Sequence, residues 1–216
     1  MKAVIWDMDG VLIDSETLYN EANPALFERL GIPFWREDEE GLAGVNAHSG
    51  ALGIMKRHPE VKYSLEEVEE AYRASLLGAL TGAEDLELIP GVADWISKLH
   101  AMGYKMAVAS SSTAPMVNYV AERFGFNEIM EVVINGEMVK VAKPEPDIFL
   151  MAAEIIGVKP EDCTVVEDST FGIRAAKAAG MRCIAFTGAN VHNLDNSEAD
   201  DRFPEYNDEA FDKYFK

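Results

Sequence analysis

From residue 90 onward, the apolar positions switch repeatedly between a helical and an extended period. Val92, Trp95, Ile96, Leu99 and Met102 fall on one helical face that stops at Gly103. A strand-like run over 104–109 follows, then a predicted helix from about residue 115 to Phe124, ended by Gly125. The same alternation predicts a strand at Val132–Ile134, a helix over 148–156 closed by Gly157, and a strand over 163–166. It continues with a helix over 172–179 closed by Gly180 and a strand at Arg182–Phe186. Strands alternating with amphipathic helices imply a parallel sheet covered on both faces. Uninterrupted apolar runs such as Thr164-Val165-Val166, and Ala3-Val4-Ile5-Trp6 at the start of the chain, fit strands buried on both sides.

Residues 15–86 break the alternation and contain no strand-like run. Leu18, Ala22, Ala25, Leu26 and Leu30 form one helical face ending at Gly31. Ser64-Leu65-Glu66-Glu67 reads as a capping box that opens a helix with Leu65, Val68, Tyr72 and Leu76 on one side. The expectation is an α/β fold: a Rossmann-like parallel sheet core with helices on both faces, built from 1–14 and 87–216, plus an inserted all-helical cap domain at 15–86.

Composition narrows the partners. A formal charge of −19 over 216 residues argues against nucleic acid and anionic membrane, which both call for a basic surface. An anionic substrate would meet an unfavourable overall field, so a local cation has to reverse the sign at its site. The acidic stretch over 195–212 is expected to solvate the surface. Cys163 and Cys183 both sit in apolar runs and read as buried strand thiols of a reducing compartment. The N-terminal apolar run breaks at Asp7, too early for a signal peptide or a membrane span, so a cytoplasmic protein is the expectation, with a monomer as the default for lack of an obvious exposed seam.

Candidate chemistry collects where the strands end. In an open parallel sheet, ligands bind beyond the carboxyl ends of the strands. The first strand delivers Asp7 and Asp9, two positions apart and able to face one site, followed by Gly10 for a sharp turn. Two carboxylates held that close repel unless a cation or a shared proton intervenes. The second strand ends in Ser110-Ser111-Ser112-Thr113, and the run over 163–166 ends in Glu167-Asp168-Ser169. Lys143 stands in Ala142-Lys143-Pro144-Glu145-Pro146-Asp147, where a loop enters a helix. Taken singly, the hydroxyl run and the acids could be helix caps and the lysine a solvated charge. Their convergence on one end of the sheet is what capping does not explain. Acids, hydroxyls and a lysine together suit phosphoryl transfer to a carboxylate nucleophile, with Mg²⁺ held by oxygen ligands and the second acid moving a proton.

Four segments carry a resemblance to the haloacid dehalogenase superfamily, in the right order and over nearly the whole chain. They are Asp7-Met8-Asp9-Gly10-Val11-Leu12-Ile13-Asp14-Ser15-Glu16, Ala109-Ser110-Ser111-Ser112, Lys143-Pro144-Glu145-Pro146-Asp147, and Val166-Glu167-Asp168-Ser169 with Gly172-Ile173. The chain resembles the helical-cap subfamily that includes β-phosphoglucomutase and sugar-phosphate phosphatases. The resemblance implies Asp7 as nucleophile and Mg²⁺ ligand, and Asp9 as general acid/base with its backbone carbonyl on the metal. It implies Ser110, Ser111 and Lys143 around the phosphoryl group, Asp168 as a Mg²⁺ ligand, and Glu167 in or beside that shell.

The dehalogenases of the superfamily lack the second aspartate, so Asp9 points to phosphoryl transfer. The implied activity is a Mg²⁺-dependent phosphatase acting on a small phosphorylated metabolite through an aspartyl-phosphate. A β-phosphoglucomutase-type mutase is the alternative. In Gly44-Val45-Asn46-Ala47-His48, Ala47 stands where the mutase has an arginine, and Tyr19 stands where it has a histidine, although His48 or Lys56 could substitute. Asn46 and His48 are candidate substrate contacts in the cap. A non-catalytic phospho-acceptor or binding protein is a third reading, disfavoured by the length, the helical insert and four intact motifs.

Overall fold

The structure is a computed structural model that describes residues 2–42, 45–188 and 195–216, with Glu39 and Glu40 described by backbone alone. In chain order β1 (Ala3–Trp6) is followed by α1 (Ser15–Leu30), α2 (Arg36–Leu42), α3 (Ala47–Arg57) and α4 (Leu65–Gly82). Then come α5 (Val92–Ala101), β2 (Lys105–Ala109), α6 (Ala114–Phe124), α7 (Phe126–Ile129), β3 (Val132–Ile134) and α8 (Asp147–Ile156). The chain closes with β4 (Cys163–Glu167), α9 (Thr170–Ala178), β5 (Arg182–Phe186), β6 (Asp201–Phe203) and α10 (Asp208–Phe215). Among the described residues no helix is long and apolar enough to cross a membrane.

Among the described residues six strands pair in parallel in the order β3-β2-β1-β4-β5-β6. β1 is buried at every position, as an apolar run with no polar side must be. Its side chains alternate between faces: Ala3 and Ile5 join residues of α8 and α9 in one core cluster, whereas Trp6 turns toward Tyr206. Trp6 lies in register with Val108 on one side and Val166 on the other. The carboxyl ends of β2, β1 and β4 are therefore neighbours. Strand order also reverses there, which opens a crevice at that end of the sheet.

The chain divides into two compact units, one running up to Asp14 and resuming at Glu87, the other Ser15–Leu86. Among the described residues of the second unit the regular elements are all helices, with the Ser64–Glu67 capping box formed at the start of α4. Asp38 ties α2 to α3. Its buried carboxylate accepts hydrogen bonds from Arg57 Nε at 2.7 Å and the Trp35 N–H at 2.9 Å. Nε2 of the fully buried His58 lies 3.0 and 3.1 Å from its two oxygens. Burial pushes this carboxyl up, but the bonds from Arg57, Trp35 and His58 outweigh it and hold Asp38 below the usual carboxylate range. The stabilisation is therefore complete above about pH 4 and is lost as the pH falls below that, through the lowered value. Asp38→Ala is expected to cost about 3–5 kcal/mol at neutral pH, and the gap to wild type should narrow below about pH 4. Denaturant unfolding at both pH values checks this, and a gap independent of pH would contradict it.

The C-terminal stretch keeps most of its acids exposed, as expected, and also packs on the core. Instead of merely solvating the surface, it contributes β6 and α10, and Phe203, Tyr206, Phe211 and Phe215 are buried. All four rings pack on Trp95 of α5, with centroids 4.9 to 5.7 Å away. The physical reason is that burying these aromatic rings outweighs the acidity of the segment. The acids between them are exposed, and Asp208 pairs with Lys98 of α5. Both cysteines are buried and free, as their apolar surroundings imply.

Candidate active site

Asp7 sits one step past the end of β1. Its N–H donates to the Val166 carbonyl at 3.0 Å, extending the pairing with β4 and holding the backbone rigid at this point. The chain then coils tightly, with the Met8 carbonyl accepting from the N–H groups of Val11, Leu12 and Ile13. Gly10 adopts φ +72°, and a Cβ there would overlap the Asp168 carboxylate, so the turn passes directly against that acid.

Lys143 reaches in from the segment before α8. Its ammonium donates to Asp7 Oδ1 at 2.6 Å, Glu167 Oε1 at 2.8 Å and the Ala109 carbonyl at 3.2 Å, at the ends of β1, β4 and β2. Its Nζ also lies 4.8 Å from the centroid of the Phe149 ring. Glu167 is fully buried, and its Oε2 accepts from the N–H groups of Asp168 and Ser169 and from Ser169 Oγ. Ser169 Oγ in turn caps α9 by accepting the Gly172 N–H. Asp9 Oδ2 accepts from Ser112 Oγ at 2.7 Å and from Ser110 Oγ at 3.3 Å.

Carboxylate oxygens of Asp7, Glu167 and Asp168 lie within 4.8 Å of one another, and all three residues are buried. Burial pushes the Asp7 carboxyl up, Lys143 pulls it down, and Glu167 and Asp9 push it up again; it stays well above the usual carboxylate range. Burial alone would lower the Lys143 ammonium, but Asp7 and Glu167 raise it, so it remains charged. Lys143 thus pairs with Asp7 and Glu167, two of the three clustered buried acids, and leaves the cluster short of positive charge. That excess of negative charge, presented by oxygen donors only, suits a hard divalent cation such as Mg²⁺.

The structure brings Asp7, Asp9, Ser110, Lys143, Glu167 and Asp168 together, with Ser111 on the same turn as Ser110. Ser112, whose hydroxyl makes the shorter bond to Asp9, was not singled out by the sequence reasoning. The signal was available, because Ser110 and Ser112 are two apart, the same spacing that pairs Asp7 with Asp9. In the helical unit, Asn46 caps α3 by accepting the Ser49 N–H at 2.9 Å, and His48 Nδ1 lies 2.8 Å from Glu69 Oε2. Ala47 and Tyr19 are buried there, and Gly44 lies outside the described residues.

Comparison with known proteins gives a consistent picture. A family model described as haloacid dehalogenase-like hydrolase matches residues 1–180. The chain is 34% identical over 199 residues to the phosphorylated carbohydrates phosphatase of Thermotoga maritima, covering 92% of this chain and 89% of that one. It is 34% identical over 189 residues to the beta-phosphoglucomutase of Bacillus subtilis, covering 84% and 81%. Among solved structures, CbbY from Rhodobacter sphaeroides in complex with phosphate superposes with a TM-score of 0.82 at 30% identity, covering 95% of each chain.

Proposed function

The chain belongs to the haloacid dehalogenase-like hydrolases, and from that premise we propose that it is a Mg²⁺-dependent phosphatase acting on a small phosphomonoester, specifically a sugar phosphate. The observation that carries the reading is the Asp7 carboxylate fixed by Lys143 at 2.6 Å, with Asp9 held separately by hydroxyls two residues further on. One acid is oriented by an ammonium and the other by neutral donors, which suits two different tasks. The phosphatase of Thermotoga maritima, by its name, takes phosphorylated carbohydrates, which supports the substrate class.

In this account an Asp7 oxygen attacks phosphorus, the bond to the leaving oxygen breaks, and Asp9 gives that oxygen its proton. Asp9 then takes a proton from water, which attacks the aspartyl-phosphate and releases Asp7 and inorganic phosphate. Lys143, the Ser110 hydroxyl and the Ser111 N–H hold the phosphoryl oxygens as charge shifts among them. Asp7, Asp168, the Asp9 carbonyl and Glu167 would hold Mg²⁺, which supplies charge neutralisation for the incoming phosphate. The helical unit is read as the cap that selects the leaving group, with Asn46 and His48 as candidate contacts.

The similarity to a beta-phosphoglucomutase keeps the mutase as a second reading. Against it, Ala47 is buried and uncharged, and His48 is engaged with Glu69. Incubation with Mg²⁺ and a panel of sugar phosphates decides the matter. Phosphate release that an Asp7→Asn control lacks supports the phosphatase. Conversion of β-glucose 1-phosphate to glucose 6-phosphate without net release favours the mutase, and neither reaction on any substrate sinks both.

A further inference from the structure

The C-terminal segment lies beyond the residues that the family model matches, 1–180, yet it reaches the turn that follows the catalytic acids. Tyr206 Oη donates to the Val11 carbonyl at 3.0 Å, a buried bond between residues 195 positions apart. The ring has little freedom: Phe186, Trp95 and Phe203 surround it with centroids 4.7, 4.9 and 5.0 Å away. The segment is seated flush at the start of α5, where a Cβ on Gly91 would overlap the Tyr206 carbonyl. Next to it, Trp95 Nε1 donates to the Asn207 carbonyl at 3.2 Å. A ring fixed this firmly has one direction in which to present its hydroxyl.

We propose that Tyr206 is a positioning residue for the catalytic turn: its hydroxyl, anchored by the aromatic cluster of the C-terminal segment, fixes the Val11 carbonyl and with it the placement of Asp9 relative to Asp7. The turn's other ties support this division. The Gly10 and Met8 bonds are made within the turn itself, so they give it shape but do not fasten it to the domain. The Ile89 N–H on the Leu12 carbonyl and the Ile13–Leu88 bridge fasten its far end. Ser112 and Ser110 hold the Asp9 side chain, and Tyr206 fastens the backbone in the middle of the turn, two residues from Asp9. Burial and the nearby charges of Asp168 and Asp7 push the phenol up, so it stays a donor across the working pH range. A buried carbonyl that loses its donor must move or remain unpaired, and small misplacements of a reacting group are costly to rate.

This inference rests on the phosphatase reading, so its test has one readout that needs no turnover. Tyr206→Phe keeps the ring and removes only the hydroxyl. It is expected to lower kcat about tenfold with KM within about twofold, the signature of a misplaced reacting group. Hydrogen exchange of amides 11–13 should quicken about tenfold while β1 exchanges as in wild type. Phe211→Leu is the control, because Phe211 packs on Trp95 at 5.6 Å but is none of the three rings that surround Tyr206. It should lower the Tm but leave kcat and turn exchange unchanged. Wild-type kcat or wild-type turn exchange in Tyr206→Phe overturns the proposal, as does an equal kcat loss in Phe211→Leu. No turnover in the wild type would sink the phosphatase reading, and the exchange comparison alone would then decide whether Tyr206 holds the turn.

Discussion

Asp7→Asn is expected to abolish phosphate release, with kcat reduced by about 10⁴-fold or more. An amide cannot act as the nucleophile, and neither Asp9, held by Ser112 and Ser110, nor Glu167, engaged by Lys143 and the start of α9, is oriented to replace it. The same substitution should leave the metal-free fold at least as stable as wild type. Asp7 is one of three buried acids whose oxygens lie within 4.8 Å of one another, and Asn keeps an oxygen that can accept from Lys143. Steady-state rates with Mg²⁺ and thermal unfolding in chelator test both halves. Activity within tenfold of wild type would refute the nucleophile assignment.

Lys143→Ala should behave in the opposite way in the metal-free protein. Its ammonium, 6% exposed, is bonded to Asp7 and Glu167, and removing it leaves two buried carboxylates facing each other. The expected cost is about 3–5 kcal/mol without metal, with a larger Mg²⁺-induced rise in Tm than wild type shows. Activity should fall about 10²- to 10³-fold, since a preorganised cation at the phosphoryl oxygens is lost. Equal Tm values for wild type and variant in chelator would contradict this account of the site.

The two substitutions separate what the sequence reveals from what only the structure adds. Asp7, Asp9, Ser110, Lys143 and Asp168 were legible because each stands at the end of a strand or at a helix entry, and parallel topology brings those ends together. The bond between Lys143 and Glu167 was not legible, because it depends on how a loop side chain crosses strand ends. Helix α2 escaped for a different reason: Arg36-Glu37-Asp38-Glu39-Glu40-Gly41-Leu42 has almost no apolar face, and its anchor is the tertiary contact of Asp38 with Arg57 and His58. In the C-terminal segment Phe211, Tyr214 and Phe215 do follow helical spacing, but the acids between them suggested a solvated stretch. The partner of Phe211 and Phe215, Trp95, lies more than a hundred residues away. Tyr206 is invisible for the same reason, since nothing local marks a residue whose partner is Val11.

The charge balance of the whole chain also takes on a local meaning. A protein of charge −19 can attract a phosphate only where the field is reversed. Lys143 alone does not reverse it against Asp7, Glu167 and Asp168. A divalent cation held by these acids would, which is why activity is expected to require added Mg²⁺ and to vanish in chelator.

The most direct measurement is to trap the covalent intermediate. The enzyme is mixed with Mg²⁺ and a sugar phosphate that it hydrolyses, quenched within the first turnovers, and reduced with borohydride, which converts an aspartyl-phosphate to homoserine. Peptide mass spectrometry should find homoserine at position 7 in wild type and none in Asp7→Asn. Turnover with aspartate intact at position 7, or with the label on any other residue, would contradict the account.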